Sequence, residues 1–280
     1  MQQEARGLDE QFLSELQVAR ESCTLPKHLR AEGDRLVRRL LAFLFPQFAF
    51  GESVGLEHDY DELRRSLSHL LTTLNNPDAK CVACTDKFLM ALPRLRQDIL
   101  EDAQAISNRD PASEGLDEVL LAYPGIFAIA TYRLAHELAQ QEIRFLPRIM
   151  TEFAHRETGI DIHPDAKIGK RFSIDHGTGV VIGQTAIIGD DVTMFQGVTL
   201  GAMQVAKSQQ GVKRHPTVGN RVTIYANAII LGGDTVIGDD SVIGGNVWLT
   251  RSVPPNSVIT RADVLRKPGV TVDTPLEYEI

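Results

Sequence analysis

Between Ile160 and Val258 an apolar residue returns at every sixth position, and few folds can use that beat. The lead residues are Ile162, Ile168, Ile174, Ile182, Ile188, Met194 and Leu200, then Val218, Ile224, Ile230, Ile237, Ile243 and Leu249. Four places after many of them stands a second, small or apolar residue: Ala166, Ala186, Val192, Ala228, Ser241, Val247. Glycine often follows the lead residue directly, as at Gly169, Gly183, Gly189, Gly219, Gly238 and Gly244. A hexad repeat of this kind reads as a left-handed parallel β-helix, in which each hexad is a short strand plus a corner and three hexads close a triangular coil. Glycine then serves corners that need unusual φ/ψ or a close backbone approach. An antiparallel sandwich, the rival for short strands with frequent turns, does not ask for lead residues this uniform.

The beat is not perfect. It slips by two residues after Ile174 and by one after Ile230, and it breaks from Met203 to Pro216. The breaking segment, MQVAKSQQGVKRHP, is polar and carries Lys207, Lys213, Arg214 and His215. A solenoid ejects such an insertion as a protruding loop on one face, often the binding face.

Before residue 158 the period is helical: Phe12, Leu13, Leu16; Leu36, Leu40, Leu41, Leu44; Leu63, Leu67, Leu70, Leu71. A further helical run from about Gly125 to His155 is expected to be interrupted near Pro147. The expected class is therefore α+β: an α-helical N-terminal domain (1–158), the β-helix (159–266) and a flexible C-terminal tail (267–280). The tail has no repeat, is acidic and ends in Ile280.

The net charge of −8 lacks the basic footprint of a nucleic-acid binder, so an anionic ligand needs a local cluster of cations. No run of about 20 apolar residues is present and the N-terminus is too polar for a signal peptide, so neither nucleic acid nor membrane is an expected partner. Cys23, Cys81 and Cys84 suit a reducing compartment, and a cytoplasmic protein is expected. The pair Cys81 and Cys84 has no second pair at zinc-site spacing and lies in a stretch of helical period, so helix packing is expected there. No metal is expected.

Five polar residues stand in the β-helix where the hexad pattern does not need them: Asp161, Asp175, His176, Arg214 and His215. His176 follows an aspartate at a corner, and a neutral imidazole is the usual general base near neutral pH. Asp161 lies fifteen residues earlier, close to one 18-residue coil, a spacing that can bring its carboxylate to the histidine ring. From spacing alone, a catalytic pair and a pair of corner hydrogen bonds remain equally open.

The run DIHPDAKIGKRFSIDHGTGVVIGQTAIIGDDV, followed by QGVTLGA and KRHP, resembles the serine O-acetyltransferases. The likeness extends through NRDPASEG and YPGIFAIATYRLAHEL, covering roughly residues 100 to 260, and the order of the Arg-Asp-Pro, Asp-His and Arg-His motifs is its specific part. The resemblance implies transfer of acetyl from acetyl-CoA, a co-substrate rather than a bound cofactor, to the hydroxyl of L-serine. It implies that His176 takes the hydroxyl proton and Asp161 orients it. Asp110 and Asp175 would hold the substrate ammonium, and Arg214 with His215 its carboxylate. Gly201, Ala202, Ala226 and Gly245 match positions lining the CoA groove. It further implies trimers with active sites between neighbouring prisms, paired into a homohexamer, and a C-terminal isoleucine, here Ile280, entering O-acetylserine sulfhydrylase. Taken alone, Asp110 reads as a loop or helix-start residue.

The sequence departs from the family pattern at Gln184, where glutamate is commoner, in the longer 203–213 loop, and in the ending after Val258. The contacts to the CoA phosphates are therefore unassigned, with Arg261, Arg266 and Lys267 as candidates. Three other readings compete: a hexapeptide acyltransferase for a sugar or another hydroxy-amino acid, a zinc enzyme with His163, His176 and His215 converging, and a scaffold that binds a partner through its tail.

Overall fold

The computed structural model describes residues 2–23, 25, 27–51, 54–75, 80–203 and 212–265. The expected flexible tail with Ile280, Arg266 and Lys267, and the centre of the expected protruding loop, lie outside the described residues. The helical part runs α1 (Gln2–Ser22), α2 (Leu29–Leu44), a 3-10 turn (Pro46–Phe48), α3 (Leu56–Asn75), α4 (Lys80–Arg109), α5 (Leu116–Ala122), α6 (Pro124–Ala139) and α7 (Leu146–Thr158). Among the described residues no single helix is long and apolar enough to cross a membrane. The Cys81–Cys84 stretch lies within α4; Cys84 is half-buried, and the Cys81 side chain is outside what is described.

The interruption expected near Pro147 falls earlier, at residues 140–145 between α6 and α7. Pro147 sits in the first turn of α7, where its missing N–H costs nothing.

The solenoid contains β1 (Asp161–Ile162), β2 (Lys167–Ile168), β3 (Ser173–Asp175), β4 (Val181–Ile182), β5 (Ile187–Ile188), β6 (Thr193–Phe195) and β7 (Thr199–Gly201). After the interruption come β8 (Thr217–Val218), β9 (Thr223–Ile224), β10 (Ile229–Leu231), β11 (Val236–Ile237), β12 (Val242–Ile243), β13 (Trp248–Leu249) and β14 (Val258–Ile259), then α8 (Arg261–Leu265). The strands stack in parallel as three faces: β1-β4-β7-β10-β13, β2-β5-β8-β11 and β3-β6-β9-β12-β14. This is the expected helical region followed by a parallel β-solenoid of about five coils.

The lead residues all point inward. On the first face Ile162, Ile182, Leu200, Ile230 and Leu249 are each at most 4% exposed. The second residue of the hexad closes the corner from inside, and Ala166, Val192, Ala228 and Ser241 are fully buried. Burying one such aliphatic side chain is worth about 1.5–3 kcal/mol, so the stack rather than any single strand of two or three residues carries the fold.

The glycines after the lead residues serve close approach, not φ. A Cβ at Gly169, Gly189 or Gly219 would collide with the backbone or the aspartate or asparagine of the coil above. The left-handed backbone lies two residues further on, at Arg171, Asp191, Arg221 and Asp240. That column alternates in charge, with Arg171 paired to Asp191 at 2.7 Å and Arg221 to Asp240 at 2.6 Å.

The helices seat on the first coil. α4 and α6 rest on β3, and α6 and α7 on β1. Asp102 of α4, fully buried, accepts from Arg133 Nε at 2.5 Å and Nη2 at 2.8 Å, and from the Phe172 N–H at 2.9 Å. Arg133 also donates to the carbonyls of Ile168 and Gly169. One ion pair thus ties α4, α6 and the corner between β2 and β3.

Candidate active site

The candidate residues fall into two groups at opposite edges of the first face. The first edge is the corner that leaves the third face and enters the first, where β3, β6, β9 and β12 end. Here the two-residue slip widens the turn, and His176 takes a left-handed conformation (φ 57°) followed by Gly177 and Gly179 at φ 84° and 83°. Its side chain is 73% exposed, with Nδ1 3.9 Å from Asp175 Oδ1. Asp110, in the loop after α4, faces the same corner. Its Oδ1 accepts from the Ala112 N–H at 2.8 Å and its Oδ2 from the Tyr123 hydroxyl at 2.6 Å. These hydrogen bonds, with a smaller contribution from nearby His176, hold the Asp110 carboxyl below its ordinary value. A small cavity of about 40 Å³ lies between α4 and the third face, lined by Arg109, Asp110, Ser173, Asp175, Thr193 and Phe195. Above Asp175, Phe195 stacks on Tyr225 with centroids 5.0 Å apart.

Asp161 stands beside this edge, because Gly177 packs directly against Ile160. Its carboxylate does not reach His176 in this structure. Arg148 of α7 takes it at 3.2 Å and pairs at 2.5 Å with Glu152 as well. The first coil is 20 residues long, with Asp161 under Val181, so the fifteen-residue spacing brings the two backbones to one corner but leaves the carboxylate within reach of α7.

The second edge, between the first and second faces, carries Arg214 and His215. Thr185 organises it: its hydroxyl oxygen accepts from the N–H groups of Arg214 and His215 at 2.9 and 3.0 Å. The His215 ring lies over Gly183, where any Cβ would collide with it. His215 Nδ1 accepts from the Thr185 N–H at 3.1 Å and lies 2.9 Å from its hydroxyl. Since an N–H can only donate, Nδ1 is unprotonated and Nε2 carries the hydrogen. Burial first, then the neighbouring cations Arg214 and Lys213, push the ring's pKa down from 6.5 to about 4. His215 is thus a neutral donor at working pH rather than a second cation.

Gln184 keeps a linking role without a charge. Its amide oxygen accepts from Arg214 Nη2 at 2.6 Å, and its amide nitrogen donates to Asp165 at 2.8 Å. Arg214 Nη1 is buried and has no hydrogen-bond partner among the described residues. Lys213 folds back onto the carbonyls of Thr185, His215 and Pro216, which makes it a brace for the corner. His163 belongs to this edge too, close enough to be depressed by Arg148 and Arg214 once burial has acted, whereas His176 is at the other. The three histidines therefore do not converge within one chain. Among the described residues the one group with metal-ligand geometry is Glu152, His155 and Asp161, and the Arg148 guanidinium holds two of its carboxylates.

The four residues matched to the CoA groove divide in the same way. Ala226 and Gly245 stack on successive coils above the first edge. Gly201 ends β7 at the second, and Ala202 follows it. A hexad face spans roughly 15–20 Å at about 3.3 Å per residue, too far for one serine to touch both edges of the same chain.

Spacing did not single out Tyr123, Arg148 or Thr185, and it marked Gly183 only as a repeat glycine and Lys213 only as a loop cation. The signals were short: the Gly and Thr around Gln184 in IGQTA, and the Tyr-Pro-Gly that opens α6.

Residues 56–131 match the family model described as "Serine acetyltransferase, N-terminal". The chain is 45% identical over 216 residues to the plasmid serine acetyltransferase of Synechococcus elongatus, covering 73% of this chain and 67% of that one. It is 50% identical over 127 residues to the serine acetyltransferase of Helicobacter pylori, covering 45% of this chain and 72% of that one. The solved structure of Entamoeba histolytica serine acetyltransferase 1 in complex with L-cysteine superposes with a TM-score of 0.74 at 37% identity, covering 80% of this chain and 85% of that one.

Proposed function

The chain belongs to the serine acetyltransferase family, and we propose that it builds each active site from the first edge of one protomer and the second edge of its neighbour. The reaction is transfer of acetyl from acetyl-CoA to L-serine, giving O-acetylserine for cysteine biosynthesis. What supports the division is placement: Asp110, Asp175, His176, Ala226 and Gly245 lie at one edge and Arg214, His215, Gly201 and Ala202 at the other, so each edge holds half of the charges proposed for serine and half of the small residues proposed for CoA. A C3 ring of prisms brings unlike edges together at every interface.

In this reading Asp110 and Asp175 hold the serine ammonium, while Arg214 and the neutral Nε2–H of His215 hold its carboxylate. The clamped hydroxyl lies against His176. The imidazole takes its proton as the oxygen attacks the thioester carbonyl, and the same proton passes to the departing CoA sulfur when the C–S bond breaks. Asp161 serves as the orienting carboxylate once Arg148 releases it. No cysteine lies in the β-helix, which excludes a cysteine thioester there, and the proposed transfer is direct. Two trimers pairing through the helical domains, and a cytoplasmic location, complete the proposal.

Release of free CoA from acetyl-CoA, measured against L-serine and a panel of sugars and hydroxy-amino acids, tests the substrate. Turnover with L-serine well above all the others supports the reading, and preference for a sugar contradicts it. Arg214→Lys keeps a cation but loses the planar fork, so the serine KM should rise about tenfold or more while the acetyl-CoA KM changes little. An effect confined to acetyl-CoA would place Arg214 on the CoA phosphates instead.

A further inference from the structure

Asp110 is held by Tyr123, the first residue of the YPGIFAIATYRLAHEL run, to which no role has yet been given. From the geometry we infer that Tyr123 is a positioning residue for serine binding, whose hydroxyl fixes the Asp110 carboxylate toward the substrate ammonium. The inference rests on the reading of Asp110 given above.

Tyr123 is the hinge residue between α5 and α6, closing the first helix and capping the second. Its N–H donates to the Val119 carbonyl at 3.1 Å, and Pro124 behind it opens α6 with a fixed φ. Gly125 then sits so close to the Ile174 carbonyl of β3 that a Cβ there would collide with it. The Tyr-Pro-Gly unit therefore seats the start of α6 on the strand that carries Asp175. This seating sets where the tyrosine hydroxyl points, and it points at Asp110 Oδ2, 2.6 Å away.

Asp110 needs that support. It lies past the end of α4, in a loop anchored locally by the Ala112 N–H on Oδ1. With one donor on each oxygen, each keeps one lone pair for an ammonium. The charged groups around it are otherwise mixed in sign: Arg109 is near, Glu118 and Asp175 face the tyrosine, and the His176 ring lies close by. A neutral donor at this point holds the carboxylate ionised without competing for the ligand as a cation would. The tyrosine shows the reciprocal effect, its own pKa pushed up to about 12 by the carboxylate.

Tyr123→Phe removes the hydroxyl and keeps the ring. The serine KM should rise roughly tenfold, the lower range for a hydrogen bond to a charged group, with kcat and the acetyl-CoA KM unchanged. Because the lost bond favoured the ionised carboxylate, the acid limb of serine binding, titrated without acetyl-CoA so that proton transfer to His176 does not enter, should move to higher pH. A merely structural role would not move that limb. An unchanged serine KM and limb, or an equal loss for acetyl-CoA with a lowered melting temperature, overturns the inference. Asp110→Asn separates the two readings. If it leaves the serine KM untouched, the assignment of Asp110 has failed and the inference with it. If it raises the serine KM while Tyr123→Phe does not, the inference alone falls.

Discussion

His176→Ala is expected to lower turnover about 10²–10⁴-fold, the usual worth of a positioned general base. The residue is mostly exposed and its ring makes no hydrogen bond among the described residues, so removing it disturbs little of the fold they form. Its left-handed backbone tolerates the change at a modest cost, since the turn is already set by Gly177 and Gly179. The KM for acetyl-CoA should stay near its original value, because the imidazole acts on the hydroxyl. Steady-state kinetics on an assembled variant checks both statements. Near-normal turnover would remove His176 from the role of base.

The second large effect is on stability. Arg133→Met leaves the Asp102 carboxylate buried with the Phe172 N–H as its remaining donor. Removing one partner of a buried pair costs about 3–5 kcal/mol, a large share of the stability of an ordinary domain. Chemical denaturation should show this loss. The double variant Asp102→Leu/Arg133→Met should recover part of it, because the charge is gone, though the Phe172 N–H and the Ile168 and Gly169 carbonyls stay short of partners. If the single and double variants lose equally, the pair is not what holds α4 and α6 to the first coil.

Much of this architecture was legible because the hexad has one physical meaning. Ile162, Ile182 and Leu200 must face inward if six residues make one side of a coil, and they do. The irregularities were equally informative. The slip after Ile174 widens the corner that presents His176, and the break and the slip after Ile230 both fall at the edge with Arg214. A regular solenoid needs no such departures. The partners of the polar groups were not legible. Residues 110 and 123 are thirteen apart across two helix ends, and nothing in their spacing says that the hydroxyl meets the carboxylate. Asp161 was read toward His176, but α7 supplies Arg148 from outside the repeat and takes it. For the glycines after the lead residues the sequence left unusual φ/ψ and close approach both open, and Gly169, Gly189 and Gly219 are contact positions, because the next coil passes closer than a Cβ allows.

Mixing His176→Ala with Arg214→Ala tests the shared site most directly. Each variant alone lacks one half of every active site. In hybrid trimers, an interface that joins the intact first edge of one protomer to the intact second edge of its neighbour is a complete site. With random assembly from equal amounts, about one interface in four is complete, so roughly a quarter of the original turnover should return. Co-expressed and co-purified chains provide the sample, and CoA release provides the readout. Activity no greater than the sum of the two separate variants would mean that His176 and Arg214 act within one chain, and the division of the site between neighbours would be wrong.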